Sequence, residues 1–443
     1  MRRTACILLL FGLCLPDAVQ CQSELGTKTV KLTLPTGLRV IIRPEPDTNL
    51  IAICALVRAG IAEEQNALGI GNLVARSLFG KGINLTRASM ERAILKAGGS
   101  LDVLWNPDYT AITCVTTQEA FDHAIYILAQ ALKNAEFDAE TLDRARREVE
   151  ANMERENSDP FHVAYAVLRS AMYTNSPYRL PFGGIPDTLR RVTPEMAQRF
   201  FQRCYTPQNI VIAVVGNIHA KETARTVEIY FQAFNRPAPP SRPPTPPETL
   251  PEDMHRLRRL PVHTTLILAG FTAPGLLNPD YAAFLVLDAI IGGGKSSRLF
   301  RTIREKAGIG YIVGSHTPPL ARESHLLSYV EFDSARVETV GAKMDTATVE
   351  KMLVDTVRSV LSSPPTAQEV VRAKRFVIGS HALARQRSRD RAFYLGWYEL
   401  MGVGYAFDAT LPEQIAAVTT EDVLRVAKKY LGHCVVSVVE PMP

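Results

Sequence analysis

The stretch Leu68-Gly69-Ile70-Gly71-Asn72-Leu73-Val74-Ala75-Arg76-Ser77-Leu78-Phe79 has the spacing of an amphipathic helix, with Leu73, Leu78 and Phe79 turned toward a core. Residues 72, 75 and 76 stand at i, i+3 and i+4, so their side chains project from one face. A His-x-x-Glu-His helix uses this arrangement to present two imidazoles and a general base to a metal ion. Here the three positions hold Asn72, Ala75 and Arg76. An amide is a poor zinc donor, a guanidinium carries a permanent charge that repels the metal, and a methyl group cannot take a proton from water. Taken alone, the segment is an amphipathic helix.

Other patterns are weighed the same way. Gly292-Gly293-Gly294-Lys295-Ser296 suggests a phosphate loop, but the position five residues before Gly294 is Ala289 instead of glycine, and a helix-like run precedes it where a strand is required. The nine His residues include no pair at ligand spacing, and Glu119 with His123 reads as a solvated helix pair. No Gly-x-Ser-x-Gly elbow or Cys/His pair stands in a credible frame for nucleophilic catalysis. Arg304 and Tyr311, seven positions apart, could together hydrogen-bond a carbonyl or a peptide backbone. Read from the residues alone, an exposed Arg and a packed strand Tyr would explain them as well.

The elements that must carry these residues mix strands and helices. Leu50 to Val57, Leu101 to Trp105, Tyr109 to Thr116 and Asn209 to Val215 are strand-like, whereas Gln118 to Asn134 and Asp138 to Glu156 are helical. After a Pro-rich stretch at 235–253 the same grammar returns. It gives a strand from Thr264 to Phe271, a helix from Tyr281 to Ile291, a strand pair near Tyr311 and Leu326 to Phe332, then helices and a closing strand Cys434 to Val439. The expectation is an α+β chain of two similar domains, 28–234 and 254–443, each a mostly antiparallel sheet packed with helices, joined by the linker 235–253.

The frame GIGNLVARSLFGKG resembles the first-domain helix of the insulinase and pitrilysin family of zinc metallopeptidases, and the resemblance extends over nearly the whole chain after its first residues. PTGLRVIIRPEP is similar to the family's opening strands, CYTPQNIVIAVVGNI to its helix-Pro-strand-Gly segment, and AIIGGGKSSRLFRTIREKAGIGYIVGS to its second-domain signature. The resemblance implies a half-clamshell of two domains. It places Asn72 and Arg76 at the two zinc-binding His positions, Ala75 at the catalytic Glu, Asn152 at the third ligand and Ala145 at its supporting acid. It gives Arg304 and Tyr311 the part of the pair that contacts substrate backbone near the scissile carbonyl. Matched residue by residue, the resemblance implies a zinc-site-deficient member, similar to the processing-peptidase branch, with no catalytic or metal-binding residue of its own.

The rest of the chain bounds the setting. Its 443 residues, 46% of them apolar, can fill two cores. A net charge of +5 without dense basic blocks points away from nucleic acid. Arg2 and Arg3 precede an apolar run from Ala5 to Leu15 that is too short to span a bilayer, so residues 1–21 read as a signal peptide. Neither Cys14 nor Cys21 follows the small residue that lipidation requires, so a soluble, exported, periplasmic protein is expected. On a eukaryotic secretory route Asn84-Leu85-Thr86 would be a glycan site. Cys54 and Cys114 read as buried thiols, with an inter-strand disulfide as the other option. The functional expectation is a non-catalytic, substrate-binding subunit that pairs with a zinc-bearing homologue to degrade or process peptides. The alternative is a structural or peptide-binding protein with a peptidase-like fold and no role in proteolysis.

Overall fold

A computed structural model of the protein describes residues 29–80, 92, 99–239, 246, 248–333 and 345–442. The expected signal peptide, the Asn84 sequon and linker residues 240–245 and 247 lie outside the described residues. Among the described residues eleven strands form two sheets: β1 Val30–Thr33, β2 Arg39–Pro44, β3 Ile51–Val57, β4 Ser100–Trp105, β5 Thr110–Thr116, β6 Ile210–Gly216, β7 Met254–Leu260, β8 Thr265–Ala273, β9 Ile312–His316, β10 Ser324–Phe332 and β11 Cys434–Pro441. The first sheet runs β1-β2-β6-β3-β5-β4 and the second β7-β11-β8-β10-β9.

Five of the strands in each sheet correspond one to one. β2 pairs parallel with β6 as β7 does with β11, and each following pair is antiparallel. The repeat expected from element order is therefore a repeat of topology, and β1 has no counterpart among the described residues. The central strand β3, IAICALV, is buried at every residue, as an uninterrupted apolar run in a sheet covered on both faces should be.

The covering is reciprocal. The helix Pro160–Met172 leaves the first sheet and packs on β11 and β8 of the second, while the helix Ser388–Met401 packs on β3 and β6 of the first. Two glycines permit the close approach. A methyl group at Gly270 on β8 would lie 2.6 Å from Met172 Sδ, and one at Gly396 would lie 2.5 Å from Leu56 Cδ1. The helix Pro160–Met172 begins sharply because Asp159 accepts from the His162 amide (2.9 Å) and Pro160, at its first position, has no N–H to satisfy. Past its C-terminus, Glu248 gathers the amides of Thr174, Asn175 and Ser176 at 2.9, 2.8 and 2.6 Å. This anchors the far end of the linker.

Polar contacts secure the seam. Half-buried Asp108 accepts from Tyr178 Oη (2.6 Å) and from the Ala321 amide (3.1 Å), and Arg391 Nε donates to Glu45 Oε2 (3.0 Å). Cys54 and Cys114 are buried free thiols. The disulfide option fails on register: Cys54 pairs with Thr113 and Cys114 with Ile53, which turns the two sulfurs to opposite faces of the sheet. Among the described residues no helix is long and apolar enough to cross a membrane.

Candidate functional site

The motif segment forms a helix over Ile70–Ser77, shorter than the pattern suggested because Gly69, at φ 93°, ends the preceding turn in the left-handed region. Glu64 caps it: its carboxylate accepts from the amides of Gly69 (2.7 Å) and Gly71 (3.0 Å), two donors with no partner inside the helix. Glu64 is buried, and burial pushes its carboxyl up to about 8 against the opposite pull of the two amides. Gly71 fits beneath Trp105 of β4, where a methyl group would come within 2.6 Å of the indole Nε1. The helix is thus tied to the edge strand of its sheet.

On the opposite face the helix packs against the long helix Ala139–Ser158. Arg76 Nε donates to Asn72 Oδ1 (3.0 Å) within its own helix, and Arg76 Nη1 donates to Glu148 Oε2 (3.2 Å) on the long helix. Ala75 is 1% exposed and contributes packing alone. Asn152, four residues after Glu148, accepts at its amide oxygen from Arg155 of its own helix. Of the four positions expected to mark the degenerate site, Asn72 and Arg76 lie together, Ala75 is buried beside them, and Asn152 is engaged elsewhere. Glu148 was missed by sequence reasoning, although it shares the helical face of Asn152 and carries the charge that Arg76 needs.

For zinc this donor set does not fit. The Glu148 carboxylate is paired with a guanidinium. Asn72 Oδ1 accepts from the same guanidinium, and Arg76 holds a positive charge where a cation would have to sit. Among the described residues no group of three His, Cys, Asp or Glu could hold a metal ion.

Arg304 and Tyr311 form a second cluster, in the other half of the molecule. Arg304 lies in the π-helical turn Phe300–Lys306, a wide-wound segment of the kind that is common at functional sites. The chain then reverses through Gly308 and Gly310, both left-handed at φ 70° and 72°, and brings Tyr311 to the start of β9. Arg304 Nη1 donates to Gly310 O (2.7 Å), and its guanidinium lies 4.8 Å from the centre of the Tyr311 ring. Tyr311 is 65% exposed and the adjacent Ile312 55%, on an edge strand of the second sheet. Gly292-Gly293-Gly294-Lys295-Ser296 follows the helix Tyr281–Gly292, so its geometry is not that of a strand-to-helix phosphate loop.

Comparison with known proteins identifies the family and the fold. Residues 39–184 match the family profile described as insulinase (peptidase family M16), and residues 191–377 match the profile described as peptidase M16 inactive domain. An uncharacterized zinc protease of Streptomyces coelicolor is 26% identical over 93% of this chain and 89% of its own. Among solved structures, a peptidase M16 inactive domain from Pseudomonas fluorescens superposes with a TM-score of 0.85 at 19% identity, over 94% of this chain and 98% of that one. A protease from Helicobacter pylori superposes with a TM-score of 0.84 at 19% identity, over 94% and 100%. By its two profile matches and its repeated two-sheet fold, this chain belongs to the insulinase family of M16 peptidases.

Proposed function

We propose that this protein is the non-catalytic, substrate-binding subunit of an exported heteromeric M16 metallopeptidase, and that a zinc-bearing homologue supplies the metal and the general base. The observation that carries this reading is the contrast between the two clusters. Where the family has its metal, this chain has an Arg76 to Glu148 ion pair and a buried Ala75. Where the family has its substrate-contacting pair, Arg304 and Tyr311 stand side by side at an exposed sheet edge. An extended peptide can add to such an edge through main-chain hydrogen bonds, with a fixed cation and a phenol to orient its carbonyls. Zinc is expected in the partner and absent from this chain. Export rests on the N-terminal sequence Arg2 to Leu15, and the periplasm is the compartment it suggests.

The test is zinc content and peptide hydrolysis of the purified chain, alone and mixed with an exported homologue that carries an intact His-x-x-Glu-His. A metal-free, inert chain that stimulates its partner supports the proposal, whereas zinc and activity in the chain alone refute it. In the reconstituted pair, Arg304→Ala or Tyr311→Phe should lower cleavage while leaving the complex assembled. Unchanged cleavage would remove the substrate-contact role.

A further inference from the structure

The second sheet ends in an unusual strand. β7, with the sequence MHRLRRL, is exposed at every residue from His255 to Arg259, on both faces, and among the described residues pairs with β11 alone. Its counterpart β2 has its outer edge covered by the antiparallel β1. Among the described residues nothing takes the corresponding place beside β7.

Parity shows which peptide groups are left over. Leu260 sends its carbonyl to the amide of Met442, just past β11 (2.8 Å), so His255 and Leu257, of opposite parity, turn theirs to the open side. Both carbonyls are held by the side chain of the next residue: Arg256 Nη1 donates to His255 O (2.9 Å) and Arg258 Nη1 to Leu257 O (3.1 Å). The other two basic groups of the strand already have acids, His255 with Glu350 at 3.1 Å and Arg259 with Glu440 at 4.0 Å. Arg256 and Arg258 have no carboxylate partner among the described residues. Two positions apart, they lie on one face of the strand.

We propose that the outer edge of β7 docks an extended acidic segment of another polypeptide, which adds as the strand that the second sheet lacks and pairs its carboxylates with Arg256 and Arg258. Carboxylates at alternate positions of the added strand match the spacing of the two guanidiniums. Their arrival releases the His255 and Leu257 carbonyls to accept the amides of the new strand. A second copy of this chain is the wrong occupant, because β7 against β7 sets arginine near arginine. Nucleic acid is disfavoured because the strand offers no aromatic ring to stack a base and leaves peptide groups that call for a peptide. The site is independent of the proposed substrate contacts, since β7 and β9 are opposite edges of the sheet.

The test uses the full chain and a fluorescein-labelled peptide of alternating Glu and Val, read by anisotropy and by amide hydrogen exchange. The peptide should bind, its lysine analogue should not, and protection should appear at His255, Leu257 and Arg259. Arg256→Glu with Arg258→Glu should weaken binding by about tenfold or more, with a smaller loss for the paired Gln variant, since both are charge-assisted contacts. The Gln variant decides the matter if circular dichroism shows the Glu variant misfolded. The proposal is overturned by no binding, by equal binding in the folded variant, by protection at β4 or β9 instead of β7, or by preference for an oligonucleotide.

Discussion

If an ion pair has taken over the position of the metal, the link between the motif helix and the long helix should be metal-independent and modest in strength. Arg76→Ala tests this directly. The Arg76 to Glu148 pair has both side chains about a third or more exposed, so solvent screening holds its contribution to about 1 kcal/mol or less. The hydrogen bond to Asn72 adds about 1 kcal/mol. The variant should therefore lose about 1–2 kcal/mol, which lowers the melting temperature of a domain this size by about 2–8 °C. A tightly bound structural zinc would contribute far more, of the order of 10 kcal/mol, and would be removable by chelation. The assay is thermal denaturation of wild type and Arg76→Ala, each with and without a strong chelator. The expected pattern is a small fall on mutation and none on chelation. A chelator-induced fall in the wild type, or an Arg76→Ala variant as stable as the wild type, would refute the substitution of an ion pair for the metal.

The reciprocal helix packing makes a second prediction. Gly270→Ala and Gly396→Ala each force a methyl group into a side chain of the crossing helix or the facing strand, and each should cost about 1–2 kcal/mol in urea denaturation, after the usual gain from replacing glycine is subtracted. Unchanged midpoints in both would mean that the helices do not approach as closely as described. A third concerns pH. His325 is fully buried against Arg169, which together push its imidazole down to about 3, and it shares a hydrogen bond with Tyr173 Oη at 2.8 Å. Because the folded value lies below the unfolded value near 6.5, its contribution is fully present above that value and is lost as pH falls toward 3. The loss should be about 1.4 kcal/mol per unit within that window. His325→Phe should flatten that part of the profile in urea titrations between neutral and mildly acidic pH, and an unaltered slope would exclude His325 as the source.

Much of the fold was legible because it rests on local pattern. Ile51–Val57 and Ile210–Gly216 are unbroken apolar runs, and Ala139–Ser158 carries its own Asp138 cap, which accepts from the Thr141 amide at 2.8 Å. The proximity of Asn72 and Arg76 was visible because a helix converts spacing into a shared face. Contacts between distant segments were less visible. The exchange of Pro160–Met172 and Ser388–Met401 between the sheets depends on which apolar stripe meets which sheet, and sequence periodicity gives the stripe without its partner. The same holds for Glu148: its place opposite Arg76 is a matter of how two helices cross. Glu64 is subtler still, since an acid five residues before Gly69 reads as ordinary loop polarity until the turn folds it back beneath the helix.

These long-range contacts explain why the second half needs the first. Ser388–Met401 comes from the second half but covers the inner face of β3 and β6, while Pro160–Met172 comes from the first half and covers β8 and β11. Removing either half would expose an apolar sheet face and leave a helix without its floor, so neither can be discarded independently. Within the motif helix only Asn72 and Arg76 of the three positions reach the surface, half-buried, while Ala75 is buried with Leu73 and Val74. The second half then keeps its frame, in which Gly308 and Gly310 hold Arg304 beside Tyr311 at the edge of the sheet.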